Sequence, residues 1–390
     1  GARNLLLLFI AVLTATVLWA AFDLRSFPAE FDKARSGPAR YVFDDLLNPL
    51  KYVIPAIILY DTCRTRRQLL IALLGLIGLT TAYALLVIKT MPLAVLFDDS
   101  DFLRHRHRID RDTGLMAIDM SMVMAAGFWG TMCALRCWRT WLPKCGLVAA
   151  AGAMLLALGL CHSRGGYITW AVLGILFGVV RWRAVLVAAP VVVVAVFAIF
   201  PSVHERLTTG LDSQTVTGDA STDWHSVTAG RSTRIWPPVF EQFTESPLIG
   251  SGRRAILRTA AYDKILETDG VVPDHPHNAY LELLVDAGIL GFLPAMCLYG
   301  GIAVISIRLF RRARDPILVA VGGTSMACVV ALMVASLGCQ SFFPTQSTLG
   351  FWAAWALALR GRKDTCRNQA PKAPPLLQPA RVPYVMSTRG

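Results

Sequence analysis

The stretch QLLIALLGLIGLTTAYALLVIKT, residues 68–90, decides the architecture. It carries no charge before Lys89. Coiled as a helix rising about 1.5 Å per residue, it reaches across a hydrocarbon core about 30 Å thick. Runs of the same kind recur on both sides of it, at 4–22, 45–61, 115–136, 141–161, 166–180, 184–200, 281–307, 316–338 and 345–360. The run at 45–61 is the weakest, because Pro49, Lys51 and Pro55 interrupt it, and 166–180 and 345–360 are short. Across all 390 residues, 55% are hydrophobic and only 16% charged. A soluble domain carries about 25% charged residues, so this apolar surface exceeds what soluble cores can bury. That excludes a soluble pair of domains, and with it disorder, collagen and coiled coil. The expected fold class is all-α, a polytopic transmembrane helix bundle.

Polar chain is concentrated in two places. Residues 201–280 form one large loop between the seventh and eighth runs, and 361–390 form a basic, proline-rich tail expected to be disordered. The expected division is therefore 1–200 (the first seven spans), 201–280 (the large loop), 281–360 (the last three spans) and 361–390 (the tail). The chain opens on Gly1, and Leu5 to Phe22 lacks a convincing signal cleavage site. This run is expected to span the membrane, with native sequence missing upstream. The nine cysteines show no paired spacing and read as small buried hydrophobes.

The formal net charge of +12 sorts by side. With the N-terminus inside and the runs alternating, the inner connections receive Arg3, then Arg64, Arg66 and Arg67, then Arg136, Arg139 and Lys144. Arg181 and Arg183, the arginines at 308, 311, 312 and 314, and the tail follow on the same side, while the outer connections come out near neutral. The positive-inside rule then makes both termini cytoplasmic and puts the large loop outside.

Arginines left outside become the informative ones. LRHRHRIDRD carries Arg104, Arg106, Arg108 and Arg111 interleaved with His105 and His107. It reads either as a solvated loop neutralised by neighbouring aspartates or as an anion-binding surface. Arg164, in CHSRGGYI, sits in a short turn at the outer membrane surface with no acidic neighbour in sequence. Anion binding is the favoured reading there, with Gly165 and Gly166 admitting a bulky headgroup, and structural anchoring the other. In the large loop, Arg231 and Arg234 are three apart and share a face if helical.

In PDHPHNAYLELLVDAGILGFL, Pro276 suits a first helical position with Asp274 or His275 near the cap. That places His277 in the first turn, where the helix dipole disfavours imidazolium and leaves a neutral ring able to accept a proton. A lone histidine is more often structural, and His204, His225 and His275 are read so. Gly288 and Gly291 read as close helix packing on the same side as His277. Glu282 and Asp286, four apart, either hold an arginine, orient a base or face water. Asp119 is an intramembrane carboxylate without an evident partner.

HNAYLELLVDAGILG, with His277, Asn278, Gly288 and Gly291, resembles a signature of the bacterial O-antigen ligase and polymerase family. The turn at Ser163, Arg164 and Gly165 is similar to the family's, as is GRSTRIW followed by PLIGSG, which puts Arg231 at the family's loop arginine. The resemblance covers roughly residues 120 to 300 with its motifs in the family order. Members usually have about twelve spans, so about 10–12 are expected here. Pro237 and Pro238 depart from the family by interrupting a segment that is helical in relatives.

The resemblance implies an inverting glycosyltransferase in the bacterial inner membrane, its active site facing the periplasm. The donor is a glycan on undecaprenyl diphosphate and the acceptor lipid A-core in a ligase. A polymerase uses a second lipid-linked glycan, and a protein O-oligosaccharyltransferase is a third variant. His277 is the expected base, with Arg164 and Arg231 stabilising the diphosphate. Asn278, Arg234, Arg104, Arg106, Arg108 and Arg111 are the expected substrate-binding residues. No carboxylate cluster suited to a metal is visible, so no metal or other cofactor is expected, and no nucleic-acid partner. The reading from another class is a polysaccharide or lipid transporter, which inverted repeats and midplane binding groups would favour.

Overall fold

The computed structural model describes residues 2–29, 31, 36–97, 102–199, 203, 207, 231–340 and 342–369. His204, His225, the rest of the 201–230 segment apart from 203 and 207, and the tail beyond 369 lie outside the described residues, as do the side chains of Arg104 and Arg106. Among the described residues the chain is helix and turn with no strand. The longer helices are α1 (Ala2–Phe22), α2 (Ile54–Thr62), α3 (Arg66–Thr90), α4 (Phe102–Thr113), α5 (Ala117–Ala134), α6 (Trp141–Leu160) and α7 (Arg164–Val180). After them come α8 (Arg183–Ile199), α9 (Trp236–Glu245), α10 (Ala261–Asp269), α11 (Ala279–Arg312), α12 (Pro316–Ala335) and α13 (Leu349–Gln369).

Every apolar run falls on helix, yet among the described residues only six helices are long and apolar enough to cross a membrane: α1, α3, α5, α6, α11 and α12. Hydropathy overstated length. α7 and α8 stop at 17 residues each. The run at 45–61 breaks into a wide turn at Phe43–Leu47, a single turn at Asn48–Leu50 and the nine-residue α2. Pro49 and Pro55 account for the breaks. Each lacks an N–H for the preceding turn and is tolerated only where a helix starts.

α12 is the axis of the bundle, packed against α5, α7, α11 and α13. Between apolar helices in lipid, close approach takes the place of hydrophobic driving force, and small residues permit it. Gly130 of α5 lies against Thr324, Gly323 against Cys133, and Gly322 against the backbone at Leu309 and Phe310. A Cβ at Gly322 or Gly323 would overlap those neighbours.

The arginine-rich connections gather at one end of this bundle and cap its helices. Arg181 donates from Nη1 to the carbonyls of Phe310 (2.5 Å) and Arg311 (3.2 Å), at the C-terminus of α11. Arg66 pairs with Asp315 at 2.9 Å, and Arg360 donates to the carbonyl of Cys63 at 3.1 Å. At the opposite end a second hydrophobic core forms outside the bundle. Ile235, Val239, Ala255, Ile256, Leu257 and Ile265 of the large loop pack with Phe27, Tyr41 and Leu46 from the connection after α1, and with Val17 and Val285. The connection after α1 is thus part of the same core as the large loop.

Candidate functional site

The site begins where α11 begins. Asn278, not Pro276 or its neighbours, is the N-cap: its Oδ1 accepts from the backbone N–H groups of Tyr280 (3.0 Å) and Leu281 (3.2 Å). Asparagine is among the strongest N-caps and takes precedence over the weaker preference of Pro276 for a first helical position. The expectation that His277 lies in the first helical turn is therefore corrected. His277 precedes the cap, in a left-handed conformation (φ 53°) that a non-glycine residue rarely adopts. Its N–H donates to Nδ1 of His275 at 3.1 Å, and the two rings meet edge-on with centroids 4.4 Å apart. Trp236 donates from Nε1 to the carbonyl of Pro276 at 3.0 Å, tying the histidine loop to the residues that follow Arg231.

His277 is half-buried, and burial pushes its pKa down from 6.5 to about 3, helped by His275 and by the charge of Arg231. His275 falls to about 4 through burial and the charges of Arg253 and Arg254. The imidazole is neutral as expected, though desolvation leads and the helix dipole is not the principal cause. Arg231 and Arg234 form a single helical turn, Arg231 half-buried and Arg234 exposed. The helical turn ends at Arg234 and α9 begins at Trp236, so the segment is divided just ahead of Pro237 and Pro238. They stand in the first turn of α9, where missing N–H groups leave no carbonyl unsatisfied.

α11 is broken at Gly288 (φ 61°, ψ −171°), so Gly288 and Gly291 do not continue one regular face from His277. The break is filled by the loop PLIGSG. Ile289 and Leu290 donate to the carbonyls of Pro247 (2.9 Å) and Leu248 (3.0 Å). The carbonyls of Val285 and Asp286, which an intact helix would have paired with Ile289 and Leu290, accept from Ser251 (2.8 Å) and Gly252 (2.9 Å). All four backbone groups exposed by the break are satisfied, the condition for irregular backbone next to a membrane. A Cβ on Gly288 would overlap the Leu248 carbonyl, and one on Gly250 the backbone at Asp286. Gly291 keeps the packing role expected of it, against Val12 of α1.

Directly after that loop come two buried arginines that sequence reasoning passed over. Arg253 donates from Nη1 to Glu282 (2.5 Å) and Asp286 (2.9 Å), its N–H donates to the Thr16 carbonyl (2.9 Å), and its guanidinium lies 3.9 Å from the Phe343 ring centre. Burial works against its charge, but Glu282, Asp286 and Asp45 outweigh that and raise its pKa. Glu282 also accepts from Nε2 of Gln340. Of the roles open to Glu282 and Asp286, holding an arginine is the one observed. Arg254, itself left-handed (φ 59°), grips Asp45 through Nε (2.8 Å) and Nη2 (3.3 Å), with Asp274 at 3.7 Å. The i, i+4 acids on one face were the available signal. Nothing local marked Arg253 or Asp45, because their partners, Glu282 and Arg254, lie 29 and 209 residues away.

Arg164 is the first residue of α7, half-buried, behind the cap made by Ser163. Its turn stands at the same end as His277. A Cβ on Gly165 or on Gly338 would sit 3.9 or 3.7 Å from Cδ1 of the same residue, Ile118, and Ser336, at the end of α12, accepts from the N–H of Ala279 at 2.8 Å. Asp119, in the first turn of α5, has the Cys339 thiol as its hydrogen-bond partner. The arginine loop is a helix, α4, on which Arg108 and Arg111 are exposed and Arg111 pairs with Asp112 at 2.9 Å. Among the described residues no group of three or more His, Cys, Asp or Glu side chains is placed to hold a metal ion.

No curated protein matches the chain. Residues 149–296 do match a family, described as O-antigen ligase. The matched stretch contains the Arg164 turn, the Arg231 helix, the PLIGSG insert, His277 and the break at Gly288. That family covers ligases, polymerases and protein O-oligosaccharyltransferases. Over that stretch, less than half of its length, the chain is similar to the O-antigen ligase family.

Proposed function

We propose that the chain is the ligase member of this family, transferring glycan from undecaprenyl diphosphate to lipid A-core on the periplasmic face of the inner membrane. The observation that carries the chemistry is the place of His277, half-buried and held in a left-handed turn just before the Asn278 cap, where burial lowers its pKa and favours the neutral ring. A neutral imidazole accepts the proton of an acceptor hydroxyl, and the freed oxygen attacks the anomeric carbon. The bond from that carbon to the diphosphate oxygen breaks, and its electron pair leaves with undecaprenyl diphosphate. Attack opposite the leaving group inverts the anomeric centre. Arg231 and Arg164 carry the charge that builds on the phosphate oxygens, with Arg234 at the edge of the site.

Asn278 serves first by capping α11, which leaves its amide nitrogen to reach substrate. The arginine-capped end of the bundle, taken as cytoplasmic by the positive-inside rule, supports a periplasmic site. The divisions 1–200, 201–280, 281–360 and 361–390 fit this scheme as bundle, loop, bundle and tail. Ligase is favoured over polymerase by the exposed Arg108 and Arg111 of α4, with Arg104 and Arg106 on the same helix, suited to a phosphorylated lipid A-core.

Purified protein in liposomes, given a lipid-linked glycan with both lipid A-core and a second lipid-linked glycan, is expected to extend lipid A-core, with or without chelator. Growth of the lipid-linked glycan instead would make it a polymerase, and a strict magnesium requirement would end the arginine-only scheme.

A further inference from the structure

Accepting His277 as the base, we infer that His275 is a positioning residue for it, acting through the hydrogen bond its Nδ1 accepts from the His277 backbone. His277 stands in a left-handed backbone conformation that an L residue avoids unless its surroundings impose it. Three contacts impose it here. Asn278 fixes the start of α11 on one side, and Trp236 anchors the Pro276 carbonyl on the other. Between them the His275 ring reaches two residues forward and receives the His277 N–H at 3.1 Å, closing a side-chain turn of the kind made by Asn and Asp. The ring also stands edge-on against the His277 imidazole, 4.4 Å between centroids, and limits the directions that imidazole can face.

The geometry sets the state of His275. An Nδ1 that accepts a hydrogen bond carries no proton, so the neutral ring has its proton on Nε2, and an imidazolium could not make this bond at all. Arg253 and Arg254 act on this ring from the segment following the PLIGSG insert, and Arg231 from the loop helix, while Asp274 opposes them. Burial first, and then three positive groups against one carboxylate, favour the form of the ring that can accept.

The requirement is for an acceptor at one atom. In histidine Nδ1 is bonded to Cγ, and in asparagine Oδ1 occupies the same place in the chain, so His275→Asn keeps the acceptor while removing the ring. His275→Ala removes both. In proteoliposomes supplied with undecaprenyl-diphosphate-linked glycan and lipid A-core, His275→Ala is expected to lower kcat about 10- to 100-fold, the scale of an ångström-level misplacement of a reacting group. KM for the donor and the thermal unfolding midpoint should stay near wild type, and His275→Asn should restore most of kcat. Equal losses in the Ala and Asn variants, or wild-type kcat in His275→Ala, would overturn the inference. His277→Ala runs alongside: if it retains transfer, the base assignment itself fails, a result separate from any outcome at position 275.

Discussion

At the scale of single residues, the histidine pair makes a definite statement about pH. His277 sits at about 3 in the protein without donor, against 6.5 for a free imidazole, so its basic form is complete throughout the neutral range. The acid limb of kcat/KM, which reports the free enzyme, should lie well below 6.5, leaving the profile flat from pH 8 to about 5. Donor binding changes the balance. A diphosphate neutralises Arg231, one of the causes of the low value, and adds negative charge beside the ring, so the limb of kcat should lie at higher pH than that of kcat/KM. Steady-state profiles of both constants check this, and limbs that coincide near 6.5 would refute it. His277 was legible as the candidate base because His-Asn before an apolar run is a local pattern. Its φ of 53° and its contact with His275 were not, since both depend on Trp236 and on charges from distant segments.

At the scale of elements, the broken helix shows where a one-dimensional reading stops. Hydropathy locates α11, and helix period then extends it without interruption through Gly288. The break depends on a loop that ends 36 residues earlier in the chain, and no helix propensity registers backbone hydrogen bonds exchanged with it. The residue type was the clue, since a left-handed position with no room for Cβ admits only glycine. Gly288→Ala combines left-handed strain with a clash against Leu248, a loss of roughly 2–4 kcal/mol. Thermal unfolding in detergent should fall accordingly, with transfer lost even at temperatures where the variant remains folded. Gly300→Ala, a site with open space around it, should change little and serves as the control. The run at 45–61 teaches the converse: its prolines were visible, and they shortened the helix as their chemistry requires.

At the scale of the whole molecule, three buried ion pairs fasten the large loop: Arg253 with Glu282 and Asp286 of α11, and Arg254 with Asp45 of the connection after α1. Breaking one partner of a buried pair costs about 3–5 kcal/mol, because the survivor stays buried and uncompensated. Arg254→Met should therefore lower the unfolding midpoint sharply, and adding Asp45→Asn should return much of it. A midpoint unchanged in Arg254→Met would show that the pair carries no stability. The bundle itself was legible from composition, whereas this fastening was not, because Asp45 and Arg254 are 209 residues apart. The same fastening limits how such enzymes can be recombined. The stretch 149–296 has the family motifs, but three of its anchors, Asp45, the Thr16 carbonyl and the Ser336 carbonyl, lie outside it. A chimera that transplants the loop to exchange acceptor preference must therefore bring the connection between α1 and α2 with it, as one inherited unit.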